Sequence, residues 1–69
     1  ISFDLPENSY VTLKIFDLTG REIANLADGS LTSGTHKIEF DGTGIASGIY
    51  FYVITDGEYI MRKKMVLLK

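Results

Sequence analysis

Few residues in this 69-residue chain are of a type that does chemistry, and their spacing assembles none of the familiar sites. His36 is the single histidine and there is no cysteine. A tetrahedral metal site on His36 would therefore need three oxygen ligands gathered around it, and we read this residue as structural. Asp17, Asp28, Asp41 and Asp56 could suit calcium, which takes oxygen ligands, but no Asp-x-Asp-x-Asp spacing occurs. Turn chemistry accounts for them more simply. Asp41-Gly42-Thr43-Gly44 contains a Gly-x-Gly, yet the third glycine and the following helix that would present N–H groups to a phosphate are missing. The serines at 2, 9, 30, 33 and 47 have one possible histidine partner among them and no nucleophile-elbow motif. The expectation is a non-enzyme without cofactor or metal.

Recognition is the other route to function. Four tyrosines and four phenylalanines could form a flat platform for sugars, although most stand at alternating positions where a core would take them. Charge is divided unevenly along the chain. Residues 1–57 carry three basic and eight acidic side chains, whereas 58–69 carry Arg62, Lys63, Lys64 and Lys69 against Glu58, within a net charge of −2. The acidic remainder opposes a phosphate backbone at long range, which argues against nucleic acid. Two readings of the basic segment remain: lysines that keep an edge strand from pairing with other sheets, or a recognition element.

The elements that must position these residues follow from apolar spacing. A single domain of residues 1–69 is expected, small enough that its core is marginal. No stretch approaches the roughly 18 apolar residues of a membrane helix, so a membrane-embedded protein is not expected. Ile1, Phe3 and Leu5 alternate with polar residues, and after Pro6-Glu7-Asn8-Ser9 so do Val11, Leu13 and Ile15. Asp17-Leu18-Thr19-Gly20-Arg21 predicts a type I turn closed by a glycine at positive φ, with a return strand from Glu22 to Leu26. Asp28-Gly29 and Ser33-Gly34 are expected to bracket a loop. His36, Ile38 and Phe40 predict a fourth strand. Asp56-Gly57 predicts a two-residue hairpin turn pairing Thr55 with Glu58, Ile54 with Tyr59, Tyr52 with Met61, Val53 with Ile60 and Phe51 with Arg62. The face of Tyr50, Tyr52, Ile54, Tyr59 and Met61 is taken as inward. At Lys63-Lys64 the alternation falters, and Met65-Val66-Leu67-Leu68 is apolar on both sides, which predicts a bulge or a strand buried from both faces. Six or seven short strands of this kind make an all-β antiparallel sandwich.

Several segments, in order, resemble one family: Ile1-Ser2-Phe3-Asp4-Leu5-Pro6-Glu7; Val11-Thr12-Leu13-Lys14-Ile15-Phe16-Asp17; Gly20-Arg21-Glu22-Ile23; Ser47-Gly48-Ile49-Tyr50-Phe51-Tyr52; and Lys63-Lys64-Met65-Val66-Leu67-Leu68-Lys69. The chain is similar to type A C-terminal sorting domains of type IX secretion. That resemblance implies an immunoglobulin-like sandwich at the C-terminal end of a larger cargo, carried through the periplasm and across the outer membrane of Bacteroidetes-like bacteria to the cell surface or medium. It implies as partners an outer-membrane translocon, a sortase and N-terminal cargo domains. Lys63, Lys64, Met65, Val66, Leu67, Leu68 and Lys69 would be the segment the translocon reads, and Gly20, Arg21, Glu22, Gly48, Tyr50 and Tyr52 the structural motif. The chain begins at Ile1 without methionine and without the Pro-Asn-rich stretch usual upstream in the family. It is accordingly expected to be part of a longer protein whose cleavage point lies outside it. The rival readings are a hook-capping immunoglobulin-like domain, which has a similar Gly-Arg-Glu hairpin, and an ancillary carbohydrate-binding module.

Overall fold

The computed structural model describes residues 1–57 and 59–68. Six strands follow one another: β1 (Ser2–Leu5), β2 (Ser9–Phe16), β3 (Glu22–Leu31), β4 (Gly34–Lys37), β5 (Gly48–Asp56) and β6 (Tyr59–Leu67). No helix occurs among the described residues. The strands form two antiparallel sheets, one of four strands in the order β3-β2-β5-β6 and one of two, β1-β4. This is the small antiparallel β-sandwich that the alternation predicts, and it is consistent with the immunoglobulin-like fold that the family resemblance implies.

Period-two alternation decides what the core contains. In β2, Val11, Leu13 and Ile15 are fully buried, while Thr12, Lys14 and Phe16 point to the other face. Phe3 and Leu5 of the small sheet and Ile54 of β5 close over Val11 and Leu13, and Ile1, Leu26, Ala27, Leu31, Ile38 and Tyr52 pack around them. No polar or charged described residue is buried, so the core is held together by apolar burial alone. The small sheet covers β3, β2 and β5 and leaves β6 at the margin.

Several boundaries differ from the sequence expectation. Asp28-Gly29 lies inside β3 rather than in a loop, because β2 offers it a complete ladder: Asp28 faces Thr12 and Gly29 faces Val11. The Tyr10 hydroxyl also donates to Asp28 Oδ1. β4 ends at Lys37, short of the expected Phe40, although Ile1 and Ile38 extend the pairing by exchanging two backbone hydrogen bonds of 3.0 and 2.8 Å. Beyond Ile38 the chain turns at Asp41, whose Oδ1 accepts from Thr43 N at 2.9 Å and Thr43 Oγ1 at 2.6 Å.

The β5–β6 hairpin shows the most instructive correction. Gly57, at φ 56°, supplies the left-handed position that a primed two-residue turn needs. Pairing closes at Asp56↔Tyr59, so Thr55 faces Ile60 rather than Glu58, which lies outside the described residues. Ile54 faces Met61, Val53 faces Arg62, Tyr52 faces Lys63 and Phe51 faces Lys64, each partner two positions later than expected. A slip of two residues preserves the facing of every side chain, whereas a slip of one would invert it. Tyr50 and Ile54 are accordingly buried and Tyr52 half-buried, as expected for the inward face. Tyr59 and Met61 share that face but are exposed, 78% and 43%, and an open groove lies between them and Phe3, Asp4 and Leu5 of β1.

Candidate functional site

The turn at residues 17–21 shows why the Gly-Arg-Glu motif has its composition. Gly20 N donates to Asp17 O and Asp17 N to Arg21 O, both at 3.0 Å, which closes the connection between β2 and β3. Asp17 Oδ1 accepts from Thr19 N at 2.9 Å, Thr19 Oγ1 at 2.6 Å and Arg21 N at 3.0 Å. The Thr19 hydrogen bond and the Arg21 backbone bond hold the Asp17 carboxyl below the usual aspartate range. Gly20 sits at φ 88°, where a side chain would be strained. Arg21 Nε lies 3.5 Å from Asp17 Oδ2, and Glu22 Oε1 lies 3.4 Å from Lys14 Nζ. All three motif residues are thus accounted for by the turn itself.

The Ser47-Gly48-x-Tyr50 motif starts β5. Gly48 is extended to φ 157°, and the Tyr50 hydroxyl donates to Ala46 O at 2.5 Å across the bend that leads into the strand. That arrangement resembles the tyrosine corner of immunoglobulin-like sandwiches. Tyr52 stands two residues on, half-buried beside the core.

A short repeat links two of the turns. Asp-x-Thr-Gly occurs as Asp17-Leu18-Thr19-Gly20 and again as Asp41-Gly42-Thr43-Gly44. In both copies the aspartate Oδ1 takes the threonine N–H and hydroxyl, and in both the glycine lies at positive φ, 88° and 81°. The repeat itself was the available signal, and it marks two turns of the same build. Among the described residues no group of three His, Cys, Asp or Glu converges. His36 stacks on Phe3 with ring centroids 5.6 Å apart, and its Nε2 lies 2.7 Å from Thr32 O.

The C-terminal segment is where apolar and cationic groups meet solvent. β6 is a nine-residue edge strand, paired on one side with β5 and unpaired on the other. None of its described residues is buried. Its ladder with β5 carries no bulge, so the expected interruption at Lys63-Lys64 does not occur, and Val66 is exposed rather than buried from both sides. The apolar anchor is narrower than the sequence implied. Met65 opposite Tyr50 and Leu67 opposite Gly48 are half-buried, while Leu68, beyond the strand, is 84% exposed. Leu67 packs on Gly42 so closely that a Cβ there would lie 2.9 Å from Leu67 Cδ1. Lys63, Lys64 and Arg62 are exposed and form no ion pair among the described residues. Lys69 lies outside the described residues. Charges of this kind on an edge strand disfavour accidental pairing with another sheet.

Two open grooves flank this hairpin. One, of about 270 Å³, lies on the core-facing side between Phe3, Asp4, Leu5 and the Tyr59–Met61 end of β6. The other, of about 590 Å³, lies on the outer face, where the turn bearing Leu18 approaches Phe51, Val53, Ile60 and Arg62. The two most exposed tyrosines, Tyr10 and Tyr59, stand on opposite faces of the large sheet and do not form a shared platform.

The chain is thus a small all-β sandwich whose last strand is an exposed, cationic edge. The family model described as "Secretion system C-terminal sorting domain" matches residues 1–68, and the chain belongs to that family, the sorting domains of type IX secretion. No curated protein and no solved structure matches it. The family is one of sorting signals and not of enzymes. Membership implies attachment to a cargo protein, interaction with the secretion machinery and export across the outer membrane to the cell surface or medium.

Proposed function

We propose that this domain carries an N-terminally attached cargo from the periplasm through the type IX outer-membrane translocon, without catalysis of its own, and that the translocon reads residues 63–69. A sortase then acts upstream of the domain. The observation that supports this reading is the contrast along residues 63–68: Met65 and Leu67 fix β6 to the fold while Lys63, Lys64, Val66 and, just past the strand, Leu68 stay in solvent. Fixing one side holds the exposed groups in place before a partner arrives, which lowers the ordering entropy that binding must overcome. The unpaired edge of β6 also offers backbone donors and acceptors for strand addition.

The experiment fuses the domain, with a native upstream linker, behind a periplasmically exported reporter in a host that has the type IX machinery. Deleting residues 64–69 should leave the reporter in the periplasm while the intact fusion reaches the surface. An intact fusion that stays periplasmic, where an established sorting domain exports the same reporter, overturns the proposal.

A further inference from the structure

Alternation along the hairpin puts Ile49, Phe51, Val53 and Thr55 of β5 on the outer face, opposite Val66, Lys64, Arg62 and Ile60 of β6. Among the described residues of the hairpin that face carries no carboxylate, and on the adjoining face of β2 and β3 Glu22 is paired with Lys14. Ile60 is 70% exposed, Val66 57% and Leu18, on the turn that closes the groove, 66%. Asp17, the one acid lining the groove, is engaged with Thr19 and Arg21. Among the described residues Arg62 therefore has no ion-pair partner, and it stands at the rim of an apolar groove. The core-facing groove on the other side has the opposite character, with Asp4 and Asp56 in its lining.

Resting on the proposed function, we infer that the translocon contact extends beyond residues 63–69 onto this outer face, and that it fits an apolar protein surface bearing carboxylates. Aromatic and aliphatic side chains around an arginine are what well-packed interface centres use, and a guanidinium recognises a carboxylate through two parallel hydrogen bonds. A second copy of this chain fits poorly, since a two-fold contact centred on this patch would gather two copies each of Arg62 and Lys64 in one interface. An anionic membrane fits poorly as well. Lipid-binding patches gather about 4–8 basic residues, and among its described residues the hairpin's outer face offers two, with Lys14 beside them on β2 already paired with Glu22.

The test uses the same exported fusion with two double substitutions in β6: Ile60→Asp with Arg62→Glu on the outer face, and Tyr59→Asp with Met61→Asp on the core-facing side. Surface reporter should fall by about tenfold or more for the first pair, the loss typical of an interface centre, and hold for the second. Thermal unfolding of the purified domains checks that both fold. Arg62→Glu alone, a change at an exposed and unpaired side chain, keeps the test readable should the first pair lose stability. Normal export of the outer-face variants, with export still abolished by removing residues 64–69, overturns this inference and leaves the sorting role standing. Failure of the intact fusion overturns both. Sedimentation with phosphatidylglycerol vesicles that Arg62→Glu abolishes, or a dimer in ultracentrifugation that Ile60→Asp dissolves, replaces the protein partner with a membrane or a second copy and overturns it too.

Discussion

β2 and β6 are both strands with apolar residues on alternate positions, yet one is the centre of the molecule and the other its margin. β2 is paired on both sides and covered by the small sheet, and Val11, Leu13 and Ile15 have no exposed surface. β6 is paired on one side and uncovered on both faces over much of its length, and Ile60, Met61 and Val66 are open to water. Strand pattern therefore does not by itself say where apolar surface is spent. What separates the two is neighbourhood: Phe3 and Leu5 pack directly on Val11 and Leu13 of β2, whereas an open groove lies between them and the Tyr59–Met61 end of β6.

The sharpest way to break this comparison is to empty the centre. Leu13→Ala removes a side chain with no exposed surface, and should cost about 2–5 kcal/mol in chemical denaturation, enough to unfold a domain this small at modest temperature. A loss under about 1 kcal/mol would mean that the sheet collapses into the space and that the core is looser than its burial indicates. Next in size is Tyr50→Phe, which deletes the hydroxyl bonded to Ala46 O and leaves that carbonyl to find water. The expected cost is about 1 kcal/mol, the ordinary contribution of one such hydrogen bond. An unchanged unfolding midpoint would place the stability of the β5 start in the ring alone.

The turn at Asp17 gives a smaller, pH-dependent effect. Its carboxyl is depressed by the Thr19 and Arg21 hydrogen bonds, so the folded state binds its proton less readily than the unfolded state. The stabilisation is thus present above the unfolded pKa of about 4 and is lost as pH falls through the folded value. Asp17→Asn should lower the melting temperature at neutral pH, with the gap to the wild type closing under acid conditions. A gap that persists unchanged at low pH would show that geometry rather than charge carries the turn.

Most of the fold was legible in the residues. Val11, Leu13 and Ile15 named the central strand, Asp17 to Gly20 named its turn, and Tyr50, Tyr52 and Ile54 named the inward face of β5. Side-chain alternation reports facing and is indifferent to register in steps of two, which is why that face was right while every pair across the last hairpin was displaced. Asp28-Gly29 looked like a turn because a composition signal cannot see that β2 waits opposite with a full set of backbone partners. The segment proposed for recognition is visible as a cluster of lysines beside apolar residues. Its limits are not, because exposure depends on which element covers which. Met61 and Tyr59 stand on an inward-facing side that nothing covers, and Val66 and Leu68 hold no place in the core.

The smallest expected effect sharpens the comparison most. Val66→Ser replaces an apolar side chain on β6 that is 57% exposed and faces Ile49 on the outer side of the hairpin. Surface substitutions that touch no buried group usually change stability by no more than about 0.5 kcal/mol, and the backbone ladder with β5 is unaffected by the side chain. Unfolding should therefore match the wild type, in contrast to the several kcal/mol expected at Leu13, although both changes remove an apolar strand residue. If β6 is kept apolar for a partner, the same substitution should reduce export of a fused reporter while leaving the fold intact. A cost near that of a core residue would show instead that Val66 and Ile49 form a second small core on the outer face, and that β6 is apolar for the sake of its own hairpin.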